Sequence, residues 1–369
     1  MLHAATLPPD PDNAALLYFQ AFLLRPEPDA ETSASIDKVI SGADPNDTLR
    51  EYLNLRDCRK TIEFAEAAAQ LPQCNWGIRY SQGIRAPLPQ FLHFRSLSYL
   101  IYAKARVLAE DGDYRSALGH CLTMRRIAGH ISDDTLLSYI TSLAIDGLAH
   151  RCTQDVLGSM PPDIDTLIWL RSQLIVVRDV IPSLARSLEM DFELILQTIS
   201  TNPDDLTWLR EQLAENDEIL GLTDEELIAF FRESYVNYLN SVFHVMDSEM
   251  AYEEKSLEIQ RLSNILYDEY AVHNFMSTGQ IDWWYNIKVR NTANFNALRT
   301  AIEIYLIKVE TSQLPETLPD GLPKDPYSDQ DFEYEVTSQG FVLRCREKDI
   351  GEDKLREYEF KVQSYAENN

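Results

Sequence analysis

Apolar residues recur at helical spacing through most of the first 311 positions and then change to strict alternation. Asp12 is placed to cap a first helix running through Leu24, and Pro26 and Pro28 close it because proline lacks the amide donor a helix interior needs. Asp44 or Asn46 opens a second helix through Leu71, in which Leu49, Tyr52, Leu53, Ile62, Phe64, Ala65, Ala68 and Ala69 form one apolar stripe with a polar back. A loop from Pro72 to Pro89 leads into a helix over about 88–110. Gly112 then sits between two helical patterns, the signal of a tight turn in an αα-hairpin. The partner helix runs to about Ile131, and Ser132-Asp133-Asp134 caps another to about Gly158. Pro161-Pro162 begins a stretch bent or broken at Pro182 and ended by Asn202-Pro203. Thr223 and Glu226 form a capping box that opens a helical region to about Phe275, and a last long helix covers 281–310.

Beyond Pro315 the period is two: Phe332–Val336, Phe341–Cys345 and Leu355–Val362 are expected strands, with Gly340 at the first turn. Three short strands cannot hide both faces of a sheet, so one face must lie on a helix, and the helix ending at Glu310 is nearest in the chain. The expected fold is α+β, mainly α. Residues 1–280 form a helical-hairpin bundle, and residues 281–369 form a long helix with a small antiparallel sheet.

Composition adds to this in two places. Only 13 glycines in 369 residues agrees with a mainly helical chain, and 33 Lys plus Arg against 59 Asp plus Glu gives a net charge of −26. A surface that negative repels phosphate backbones and anionic lipid heads, which argues against a nucleic-acid partner and points to a basic one. The longest apolar window, Ala14 to Leu24, contains Gln20 and falls short of the roughly 18 residues a membrane span requires, so no transmembrane segment is expected. The start carries no basic region followed by a long apolar stretch, so no secretory signal is expected. The cysteines (Cys58, Cys74, Cys121, Cys152 and Cys345) are scattered and odd in number, as buried small hydrophobes would be.

Gly-rich phosphate loops, the Gly-x-Ser-x-Gly elbow, His-Glu-x-x-His and Cys-x-x-Cys are all missing. Acid/base carboxylates need no local motif, so a hydrolase or carbohydrate-active enzyme stays as an alternative. The loop from Cys74 to Arg85 gathers Trp76, Arg79, Tyr80, Gln82 and Arg85, an aromatic and basic cluster of the kind that anchors ligands and partners. Its other reading is packing, with Trp76 and Tyr80 plugging a gap between helices while the arginines pair with acids. Asp349, Glu352 and Asp353 join the last two strands around a glycine and have the oxygen ligands calcium takes, with Asp325, Asp329 and Asp331 nearby; a solvated acidic turn is the alternative. No other cofactor is expected. His120, Cys121, His150 and Cys152 are the right ligand types for zinc, but a turn near 132–133 would offset the cysteines by about 13 Å, which favours buried core residues. Glu269 and His273 share a helix face as a solvated pair.

Three stretches resemble known families. Ala105, Gly112-Asp113-Tyr114, Ala117 and Cys121 are similar to one tetratricopeptide repeat, with no matching turn 34 residues on. Ala297-Leu298, Ala301, Tyr305, Leu314-Pro315, the Leu322 to Tyr327 stretch, Phe332, Tyr334 and Gly340 to Leu343 look like the C-terminal part of type II secretion pseudopilins, without their membrane segment or processing site. Cys74 to Gly77, Ser81, Gly83, Leu88-Pro89, Gly112-Asp113, Ala117-Leu118, Arg126, His130 and Ile145-Asp146 resemble uncharacterised helical proteins common in planctomycete bacteria. That resemblance implies an architecture and a lean toward the bacterial envelope, with the cytoplasm as the alternative, but no activity. The function expected is a non-enzymatic module that binds a protein or peptide, because stacked hairpins offer extended faces. An envelope assembly subunit is a third possibility.

Overall fold

The computed structural model describes residues 12–88, 90–131, 135–177, 181, 183–212, 221–270 and 281–363. It is mainly helical with one small antiparallel sheet at the C-terminal end, the expected class. The N-terminal helices are α1 (Ala14–Leu24), α2 (Ala30–Ile40), α3 (Asp47–Asn54) and α4 (Arg56–Ala69). A 3-10 segment (Tyr80–Arg85) precedes α5 (Phe91–Glu110), α6 (Tyr114–Ile131), α7 (Leu136–Ser159), α8 (Ile164–Val176) and α9 (Leu184–Thr201). Then follow α10 (Pro203–Gln212), α11 (Asp224–Asp247), α12 (Tyr252–Tyr270) and α13 (Ile281–Thr311).

Several boundaries differ from the sequence expectation. Asn13, not Asp12, caps α1: its side chain accepts from the Ala15 amide and also binds the Asn75 backbone, so it joins helix and loop. α2 was not expected; Asp29 caps it by accepting from the Thr32 amide. The single helix expected from 44 to 71 is two, α3 capped by Asn46 and α4, because Leu55 takes an extended ψ of 141° with no proline or glycine to announce it. Ser132-Asp133-Asp134 lies outside the described residues, and Thr135 caps α7. Pro203 ends α9 as expected but also opens α10, where a missing amide at the first helical position costs nothing. The region from Thr223 splits between Asp247 and Tyr252 into α11 and α12, with the expected capping box in place. The hairpin turn is where the pattern put it, Gly112 having a φ of 85° that suits a residue without a Cβ.

The sheet has the order β1 (Glu333–Thr337), β2 (Gly340–Asp349), β3 (Lys354–Lys361), antiparallel throughout. Phe341, Leu343 and Cys345 of β2 are buried, and Tyr305 of α13 meets the Phe341 ring edge-on with centroids 5.5 Å apart. The helix ending near Glu310 thus covers the sheet, as expected. β3 also lies along α7, where the Gln154 amide donates to the Glu359 carbonyl. α13 packs on α7 and α8 as well, and one set of buried apolar residues runs from Ala14 to Phe360. The boundary expected at 280 falls outside the described residues, and the helix after it shares the core of the bundle before it.

Candidate functional site: a groove along the hairpin

α4 and α6 leave between them a groove floored by α6. One part, about 430 Å³, is lined by Arg59, Glu63 and Glu66 of α4, Lys104 of α5, and Ser116 and His120 of α6. A second part, about 410 Å³, continues past Gln70 and Thr123 to Arg126 and to Trp169 and Gln173 of α8. Both share Glu66 and Gly119. From Asp113 to Arg126 the floor extends about 20 Å at 1.5 Å per residue, room for roughly six extended residues.

Gly119 is the informative residue. It lies inside a helix, where glycine costs about 1 kcal/mol relative to alanine, and a Cβ built on it meets no atom within 4 Å. Gly158 differs, because its Cβ would contact Lys361 at 3.4 Å. No neighbour among the described residues therefore requires a glycine at 119, and its absent side chain keeps the groove floor open. Around it, His120 Nδ1 lies 2.9 Å from Glu66 Oε1, Arg126 donates to Gln173, and the Arg115 guanidinium sits 4.7 Å from the Trp169 ring centroid. The charges along the walls are Arg59, Lys104 and Arg126 against Glu63, Glu66 and Asp113. They balance, so any preference for a basic partner comes from the net charge of the whole chain and not from this groove.

The structure distributes the loop residues differently. Trp76 packs its ring against Tyr18, Phe19 and Phe94, with centroids 5.7, 5.6 and 5.2 Å apart, and its indole donates to the His130 carbonyl at 2.8 Å. Arg85 pairs with Asp205 at 2.6 Å. Gly83, at φ +60°, lets the backbone touch α9: a Cβ there would stand 2.0 Å from Thr198 Oγ1. The adjacent Ile84 amide donates to that hydroxyl. Tyr80 is half-buried, whereas Arg79 and Gln82 are exposed. The loop is a strap joining α1 and α5 to α9, and its largest ring is spent on packing.

The acidic turn before β3 meets arginines. Asp349 accepts from Arg290 at 2.7 Å and Arg356 at 2.8 Å, Glu352 pairs with the same two residues, and the exposed Asp353 pairs with Lys348. Burial pushes the Asp349 carboxyl up, but the two guanidinium groups hold it below the usual range overall. Asp325, fully buried, accepts from the Tyr327 amide, the Ser328 hydroxyl and the Arg346 amide. The carboxylates proposed for calcium are thus engaged by cations and loop amides, and among the described residues no three His, Cys, Asp or Glu side chains converge as metal ligands.

Sequence reasoning missed a buried polar centre between α6, α7 and α13. Arg125, 3% exposed, donates to Asp146 at 2.6 Å, to the Val177 carbonyl at 2.9 Å and to His150 Nε2 at 2.8 Å, and Asn291 donates to Asp146 at 2.9 Å. Burial, offset in part by Asp146, pushes the His150 imidazole down to about 4. Cys121 lies beside Cys152, not 13 Å along the axis, because the α6–α7 register centres near residue 135: Ser142 reaches the Ala128 carbonyl and Arg125 reaches Asp146. His120 and His150 turn to different partners, and all four side chains are buried. His273 lies outside the described residues. An Arg–Asp pair at helix interiors far apart in sequence has no periodic signature; only the polar interruptions at Arg125 and Asp146 on apolar faces hinted at it.

No helix among the described residues is long and apolar enough to cross a membrane. Comparison with protein-family models, with curated proteins and with solved structures gave no match to this chain.

Proposed function

We propose that this protein is a binding module whose groove between α4 and α6 takes an extended peptide segment of a protein partner. The observation that carries the reading is Gly119, a mid-helix glycine that opens the floor of a two-part groove with no packing reason of its own. Balanced charges on the walls suit a segment of alternating sign, and the net charge of −26 adds a long-range pull on a basic partner that salt would screen.

The test places a photo-cross-linking amino acid at Ser116, an exposed groove residue, and irradiates the native cell extract. A discrete adduct is expected, and Gly119→Trp, which places a ring over the open floor, should abolish it while the protein still unfolds in a cooperative transition. An adduct that persists in Gly119→Trp, or its absence from the parent protein, would sink the proposal.

A further inference from the structure

A separate cavity of about 200 Å³ lies between α7, α13 and β3. Its polar lining is Arg151, Arg356, His150, Asn294, Gln154 and Tyr358, and among the described residues no carboxylate lines it. In a chain of net charge −26 that is an unusual concentration of donors. Positions 147, 150, 151 and 154 share one face of α7, and Gly147 forms the floor: as at Gly119, a Cβ there would meet nothing within 4 Å.

The donors are in part unused. His150 Nε2 accepts from Arg125, so its ring proton sits on Nδ1. Among the described residues that N–H has no hydrogen-bond partner, although the residue is only 7% exposed. An orphaned buried donor costs free energy unless something outside the protein accepts from it. Asn294 Oδ1 accepts from the Tyr358 hydroxyl at 3.0 Å, which leaves the amide NH2 to donate. Arg151 is exposed at the rim and makes no ion pair among the described residues. Arg356 gives its Nε and Nη2 to Asp349 and Glu352 and retains Nη1.

We propose that this cavity binds a small tetrahedral oxyanion, either inorganic phosphate or the phosphoryl group of a monoester. Donors come from three elements that surround the cavity, which suits an anion with acceptor oxygens in several directions better than a planar carboxylate. Arginine is the side chain whose fork matches such an anion, and the neutral imidazole contributes a donor without adding charge. Bound there, the anion would join the sheet to α7 and α13.

The experiment titrates the full chain with inorganic phosphate in a zwitterionic buffer, with chloride balancing ionic strength, and reads the melting temperature and the heat of binding. A saturable single-site rise is expected that chloride does not reproduce. Arg151→Gln, at an exposed position, should weaken the affinity at least tenfold. Gly147→Leu should abolish binding while melting at or above the parent without phosphate, so that loss of binding is separable from loss of fold. Phenyl phosphate distinguishes the sources: binding as tight as phosphate identifies an ester site, and rejection identifies a site for the free ion. An equal response to chloride or acetate would overturn the proposal. So would parental affinity in both variants, which would place the ion elsewhere, for example in the cavity of about 360 Å³ lined by Lys288, Asn291 and Arg299.

Discussion

Two glycines in regular structure should respond in opposite directions to the same substitution. Gly119→Ala adds a methyl group where nothing stands within 4 Å and removes the backbone entropy cost of a helical glycine, so urea unfolding should show a gain of up to about 1 kcal/mol. Gly340→Ala meets the Phe360 carbonyl oxygen at 2.0 Å with φ at +155°, and should lose roughly 1 to 3 kcal/mol. A loss in Gly119→Ala would mean that its neighbourhood is tighter than described. Trp76→Ala removes a ring held by Tyr18, Phe19 and Phe94 and should cost about 3 kcal/mol in the same measurement; a loss under 1 kcal/mol would return this residue to the exposed-contact reading. The sequence offered both readings of Trp76 and could not choose between them, because the residues that hold it lie at positions 18, 19 and 94. Gly340 was legible as a turn residue; its close approach to β3 was not, since that depends on strand register.

Among elements, the α6–α7–α13 junction depends on one buried ion pair. Asp146→Ala would take the carboxylate away from the buried Arg125 and should destabilise the protein by about 3 to 5 kcal/mol. Replacing both members with Met and Leu should cost much less, because the desolvation penalty goes with them; equal losses in single and double variants, compared by thermal unfolding, would count against a charge-specific role. Periodicity and capping chemistry gave most of the elements. The hairpin at Gly112, the capping box at Thr223 and the three strands all stand where pattern and turn residues put them. The failures share a cause. The break at Leu55 and the split after Asp247 occur without proline or glycine, so tertiary packing and not local propensity ends those helices.

For the whole molecule, burial of histidine sets an acid limit. The unfolded His150 takes up its proton near pH 6.5, whereas the folded one, held down to about 4, does not, so the unfolded state binds more protons between those values. Stability is therefore full above about pH 6.5 and declines as pH falls, by about 3 kcal/mol at most from this residue. His130, also lowered by burial, adds in the same direction. Asp349 acts later: its carboxyl is held below the usual range, so its contribution is lost only as pH falls through the acid range below about 4. Unfolding free energy measured from pH 7 to 4.5 should fall in the parent and fall less in His150→Gln; identical slopes would contradict a neutral buried imidazole. The groove and the oxyanion cavity were the least legible features, because each is assembled from helices whose mutual placement no local pattern encodes. The strap over 74–85 carries a consequence for how the chain is made. Its Ile84 amide finds Thr198, 114 residues later, so during synthesis at roughly 5 to 20 residues per second the strap waits about 6 to 23 s for its dock. The N-terminal helices must spend that interval with one side unlatched, a window in which a chaperone or a second nascent chain meets surface that the finished protein conceals.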